Sequence, residues 1–89
     1  MTQIRLYGRP DNVCTRCGFV KRWLNRHGVE YQFINVDEDP AGFEFIQTLG
    51  AREVPVVVWN QDDKDADPEW FSGASVPNLE RLLDSLQET

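Results

Sequence analysis

The apolar positions change their period several times along the chain, and each change marks an element. Ile4 and Leu6 alternate with Arg5 and Tyr7, which reads as a first strand, and Arg9-Pro10-Asp11-Asn12 is turn chemistry. From Cys14 to His27 the spacing becomes helical, with Cys17, Val20, Leu24 and His27 three or four apart on one face, and Gly28 is a natural stop. Glu30–Val36 then carries apolar residues at both parities, so this strand is expected to be buried on both sides. Asp39-Pro40 gives an N-cap followed by proline at the first helical position. Phe45, Ile46 and Leu49 form that helix's inner face, and Gly50 ends it. Val54–Trp59 is a strand led by Pro55, Asn60–Glu69 is an acidic loop, and Trp70–Gly73 is a short strand. Ser75 caps a last helix in which Leu79, Leu82, Leu83 and Leu86 make an apolar stripe.

The order β-α-β-α-β-β-α implies an α/β fold. Strands separated by helices are expected to pair in parallel through right-handed crossovers, and the last two strands to pair antiparallel. The product is a four-stranded mixed sheet flanked by three helices, with the first strand inside it. Residues 1–89 make one small domain, in which only about 60–65% of the unfolded surface can be buried. At 40% hydrophobic the composition is globular, and there is neither an apolar run that could span a membrane nor a signal-peptide core. A cytoplasmic protein is expected, in a compartment that keeps structural thiols reduced.

Net charge is −6, unevenly spread. Residues 1–27 hold six basic side chains and one acid, whereas residues 28–89 hold three basic and fourteen acidic. The acidic total argues against nucleic acid as a partner, because phosphate neutralisation needs a basic face.

Both cysteines, Cys14 and Cys17, lie in the basic part. A structural zinc needs four ligands, and His27 stands some three turns down the same helix, out of reach. A metal or cluster shared between two chains stays open. As a staple the pair is weak, since so small a ring is worth about 2 kcal/mol against about 3 for a fifteen-residue loop. Two ordinary small core residues are a further reading. The position favours redox chemistry. Cys14 falls at a helix N-terminus, where unpaired N–H groups favour a thiolate, with help expected from Arg16 or Arg9. Cys17 lies one turn inside, facing the core. Cys14 is then the attacking thiol and Cys17 the resolving one, and the exchange needs no cofactor within the protein.

Cys-Thr-Arg-Cys at 14–17, Glu53-Val54-Pro55-Val56-Val57-Val58 and Trp70-Phe71-Ser72-Gly73 resemble the glutaredoxin-like branch of the thioredoxin fold, over nearly the whole chain. Within it the chain is most similar to the NrdH redoxins, which carry Cys-Met-Gln-Cys or Cys-Val-Gln-Cys and a Trp-Ser-Gly-Phe-Arg-Pro segment. The resemblance implies a thiol–disulfide oxidoreductase, acting as a monomer, with ribonucleotide reductase as client and thioredoxin reductase as electron donor. It implies that Val54–Pro55 is cis and faces the disulfide, with the Val54 backbone open to an incoming peptide. Arg16, Trp70, Gly73 and Ser75 join them as expected substrate-binding positions. The chain departs from the pattern in its Thr15-Arg16 dipeptide, in two additional residues before Cys14 and in Ser72-Gly73-Ala74-Ser75-Val76-Pro77. Glutathione-binding glutaredoxins carry Gly-Gly-Cys followed by Asp-Asp or Ser-Asp at that segment. Ser75 still offers a hydroxyl there, although a plain N-cap is its simpler role, and Val76 cannot hold an ammonium group. The alternatives are a glutaredoxin dependent on glutathione or another small thiol, an iron–sulfur-bridged module and an interaction domain with idle cysteines.

Overall fold

The computed structural model describes residues 4–59 and 69–87. The expected acidic loop falls, up to Pro68, outside the described residues. Within them the elements are β1 (Arg5–Gly8), α1 (Thr15–Arg26), β2 (Gln32–Asn35), α2 (Pro40–Leu49), β3 (Val56–Trp59), β4 (Glu69–Ser72) and α3 (Val76–Gln87). No helix among them is long and apolar enough to cross a membrane.

Local chemistry sets the helix ends. Asp39 accepts the Gly42 N–H at 3.1 Å, with Pro40 opening α2. Ser75 Oγ accepts the Asn78 N–H at 3.4 Å at the start of α3. Both α1 and α2 close through a left-handed glycine. The N–H of Val29 bonds the Leu24 carbonyl at 2.9 Å and that of Gly28 the Asn25 carbonyl at 3.2 Å. Ala51 and Gly50 make the equivalent bonds to Ile46 and Gln47 at 3.1 and 3.0 Å. Gly28 and Gly50 have φ of 69° and 95°, which a Cβ would disfavour.

The sheet runs β2-β1-β3-β4, so β1 is an inner strand, as expected. β2 pairs with β1 in parallel, while β3 pairs with both β1 and β4 antiparallel. The expectation that helix-separated strands pair in parallel therefore holds for β1–β2 and fails for β1–β3. The chain leaves β2 and enters β3 at the same end of the sheet, so α2 serves as a lateral bridge across β1 rather than as a return path. The expected double-sided burial of β2 also needs correction. It is an edge strand, with Gln32 exposed and Phe33, Ile34 and Asn35 half-buried.

Register divides the core in two. Leu6 stands opposite Phe33 and Val57, and Val57 opposite Phe71. This row packs beneath Val20 and Leu24 of α1 and Leu79 and Leu82 of α3. Tyr7, Val56 and Val58 point the other way, toward Ile46 of α2. The helical face read over Cys14–His27 is buried at Cys17, Val20 and Leu24 only. His27 is the exposed C-cap, its ring 3.9 Å from that of Trp23, because the helix has ended before it could turn inward.

Leu24→Ala should destabilise the protein by about 2–5 kcal/mol, since it empties a fully buried site that joins α1 to the sheet. His27→Ala should stay within about 0.5 kcal/mol of the parent. Urea unfolding of the two variants measures the contrast, and equal losses would mean that the helix face is wrongly assigned.

Candidate redox site

The site is built where β1 runs into α1. β1 ends at Gly8, and the Pro10 carbonyl accepts the N–H groups of Val13 and Cys14, both at 3.0 Å, closing a turn that delivers Cys14 to the helix. Cys14 is extended, with φ −142° and ψ 93°, and is the N-cap itself. Its sulfur accepts the Cys17 N–H at 3.3 Å. A sulfur thus occupies the place usually held by a serine or aspartate oxygen.

Cys14 and Cys17 are disulfide-bonded, with Cα atoms 5.3 Å apart. Their environments differ as the sequence reading expected: Cys17 is fully buried and Cys14 half-buried. The Cys17 sulfur rests on the end of β1, where it accepts the Arg9 backbone N–H at 3.4 Å. A Cβ on Gly8 would come within 2.9 Å of that sulfur, so the close approach requires glycine. Gly8 is the site residue that sequence reasoning missed. In the sequence it merely closes the first strand pattern, ahead of the Arg9-Pro10-Asp11-Asn12 turn, and nothing local reveals the sulfur above it.

The basic side chains near the cysteines are matched by acids. Arg9 Nε lies 3.1 Å from Asp37 Oδ1, Arg16 Nη1 3.1 Å from Glu53 Oε2, and Lys21 Nζ 2.9 Å from Asp11 Oδ1. Such exposed pairs contribute about 0–1 kcal/mol each to stability, yet they decide which cations remain unmatched. The expected assistance of Arg9 or Arg16 to the Cys14 thiolate is correspondingly reduced. The direct donor to Cys14 is the Cys17 amide.

Glu53 connects the dithiol to the remaining expected positions. It precedes Val54–Pro55, whose peptide bond is cis. The Pro55 carbonyl accepts the Gly73 N–H at 2.8 Å, and Glu53 Oε1 lies 3.0 Å from where a Gly73 Cβ would stand. Arg16, Val54, Pro55 and Gly73 are therefore linked in one strip across the end of the sheet. Val54 also lines a cleft of about 130 Å³ with Arg9, Phe43, Ile46, Arg52 and Glu53. Among the described residues, neither backbone polar group of Val54 has a hydrogen-bond partner. Trp70 stands apart from the strip. It faces Val58, two positions along β4 from Ser72, and packs on the α2 side of the sheet. The hydroxyl of Ser75 is engaged as the cap of α3.

A family model described as glutaredoxin matches residues 4–63. A glutaredoxin-like protein NrdH from Lactococcus lactis is 39% identical over 46 residues, covering 52% of this chain and 64% of that protein. The match thus spans just under two thirds of the Lactococcus relative. The Escherichia coli protein of the same description is 36% identical over 56 residues, covering 63% of this chain and 67% of its own length. Among solved structures, NrdH-redoxin from Escherichia coli, described as having a thioredoxin-like activity profile, superposes with a TM-score of 0.73. It is 31% identical and covers 90% of this chain and 93% of its own. A thioredoxin-like protein solved as a point mutant gives 0.73 at 28% identity, over 94% and 97%.

Gly8→Ala should cost about 1–3 kcal/mol of stability, because the new methyl meets the buried Cys17 sulfur. Denaturant unfolding of the oxidised protein tests this, and an unchanged midpoint would show that the strand end has room. After reduction, a limiting dose of iodoacetamide at mildly acidic pH should modify Cys14 before Cys17, as read by peptide mass. Faster labelling of Cys17 would reverse the roles of the two sulfurs.

Proposed function

Because this chain belongs to the glutaredoxin family, and specifically to its glutaredoxin-like NrdH members, we propose that it is a thiol–disulfide oxidoreductase passing electrons through Cys14 and Cys17 to a protein disulfide. The observation that carries this reading is the asymmetry of the pair, one cysteine half-buried as a helix cap and the other fully buried against β1. The Cys14 thiolate attacks a client sulfur, and the other client sulfur leaves as a thiolate. The Cys17 thiolate then attacks Cys14 Sγ, forming the internal disulfide and releasing the second client thiolate. Two electrons have moved to the client, and an external reductase restores the dithiol.

The Cys17 amide stabilises negative charge on Cys14 before attack, and the Arg9 amide does the same for Cys17 before resolution. The backbone of Val54, without a hydrogen-bond partner among the described residues, serves as an edge on which an extended client segment docks, with Pro55, Arg16 and Gly73 around it. The resemblance to NrdH redoxins names ribonucleotide reductase as the client, in the cytoplasm. The thioredoxin-like profile ascribed to the Escherichia coli neighbour supports a thioredoxin-reductase-type flavoenzyme as electron source. Ser75 already holds the Asn78 amide, and Val76 offers no charge to an ammonium group. Both weaken the competing reading of a glutathione-dependent glutaredoxin.

Cys14→Ser should abolish reduction of a ribonucleotide reductase disulfide, while Cys17→Ser should accumulate as a mixed disulfide visible on a non-reducing gel. A Cys14→Ser variant that retains turnover would remove the proposed mechanism. Thioredoxin reductase should reduce the Cys14–Cys17 bond at least about tenfold faster than millimolar glutathione, since one lost charge-assisted hydrogen bond is worth one to two decades in affinity. The opposite order would install the glutathione-dependent reading instead.

A further inference from the structure

The residue between the two cysteines that carries charge is Arg16, and its charge is committed. Its Nη1 is 3.1 Å from Glu53 Oε2, and the side chains are 63% and 51% exposed. Both ends of the pair are therefore in water, and the pair stands at the mouth of the site. Arg16 is two residues after the half-buried Cys14, and Glu53 is the residue before Val54. The second Glu53 oxygen lies against Gly73, so the carboxylate reaches from the dithiol helix to the turn before α3. A sulfur nucleophile that attacks Cys14 therefore reaches the start of α1, the helix that carries Arg16, whose partner is Glu53.

An unpaired Arg16 would attract anionic thiolates, and an unpaired Glu53 would repel them. Together they nearly cancel. The same is true of Arg9 with Asp37 and Lys21 with Asp11, but neither of those cations stands between the two cysteines in the chain. Arg52, on the rim of the neighbouring cleft, has no acidic partner among the described residues. Its field is common to every variant at positions 16 and 53.

We infer that Glu53 is a specificity-determining residue, which masks Arg16 and thereby sets how the site discriminates among attacking thiols by charge. The inference rests on the reading of Cys14–Cys17 as an exchanging dithiol. In the step concerned, a thiolate RS⁻ attacks Cys14 Sγ, the Cys14–Cys17 bond breaks and Cys17 leaves as a thiolate. A second RS⁻ attacks the R sulfur of the mixed disulfide, giving RSSR and the Cys14 thiolate. Two thiolates are oxidised and one protein disulfide is reduced. Glu53 takes no part in these bonds. It changes the local concentration and approach of RS⁻ according to the charge on R.

The test uses three small thiols: mercaptopropionate, an anion; cysteamine, a cation; and mercaptoethanol, which is neutral. Rates of reduction of the Cys14–Cys17 disulfide are measured by acid quench, alkylation and mass, corrected for thiolate fraction and divided by the mercaptoethanol rate. Glu53→Gln should raise the mercaptopropionate-to-cysteamine ratio about three- to tenfold, the size of effect that one unit charge produces across about 7–10 Å in a water-like dielectric. Arg16→Gln should lower it by a similar factor, and the double variant should return to the parent ratio. About 1 M salt, where the screening length falls to about 3 Å, should erase both single-variant differences. A ratio unmoved by Glu53→Gln, or a change that persists in high salt, overturns the inference while leaving the exchange reading intact. Failure of all three thiols to reduce the parent disulfide overturns the exchange reading, and this inference with it.

Discussion

The contact between the end of β1 and the Cys17 sulfur is the constraint from which the site follows. β1 is held on one side by β2 and on the other by β3, so its last residues have a fixed position in the molecule. Gly8 has no Cβ, and the Cys17 sulfur can therefore settle on the strand and take the Arg9 amide. Val20 and Leu24, further along the same helix face, hold α1 down on the sheet. With Cys17 anchored, the first turn of α1 and the Pro10 carbonyl that receives the Cys14 N–H together hold Cys14 one turn back, half-buried. The reactive sulfur is thus positioned by the strand-to-helix turn and the helix start together.

The division of the core serves the same end. α1 and α3 cover one face of the sheet and α2 the other. The chain enters β3 at the end where β1 finishes, and β4 ends there too, because both partners of β3 are antiparallel to it. Three connections therefore meet beside the dithiol: the turn into α1, the Val54–Pro55 segment and the turn at Gly73. The Pro55–Gly73 hydrogen bond ties the second to the third. The Arg16–Glu53 pair ties the first to the second.

What the sequence reveals here is what is encoded locally. Asp39-Pro40, Gly50, Gly28 and Ser75 each specify a helix end through their own side chain or lack of one, and each is found at that end. The positions of Cys14 and Cys17 follow from a strand-to-helix junction that spacing alone discloses. The antiparallel entry of β3 is not local, because it depends on which way α2 lies across a sheet still to be assembled. The edge position of β2 is hidden for a related reason: its apolar residues face both cores, which makes it read like an inner strand. Arg9 and Arg16 form part of a basic stretch in the linear chain, and only folding brings Asp37 and Glu53 from the acidic part to meet them. Gly8 carries its role through an atom it lacks, which no periodicity can show.

Cys14 is at once the helix cap and the group that changes oxidation state. In the disulfide its sulfur is a weak, uncharged acceptor for the Cys17 amide, whereas after reduction a thiolate in the same place is a stronger, charged one. Folding and reduction then form two sides of one thermodynamic cycle. Whatever free energy the cap gains on reduction counts equally as added stability of the reduced helix terminus and as a greater affinity of the folded protein for electrons. Selection acting on either quantity at this position necessarily acts on the other.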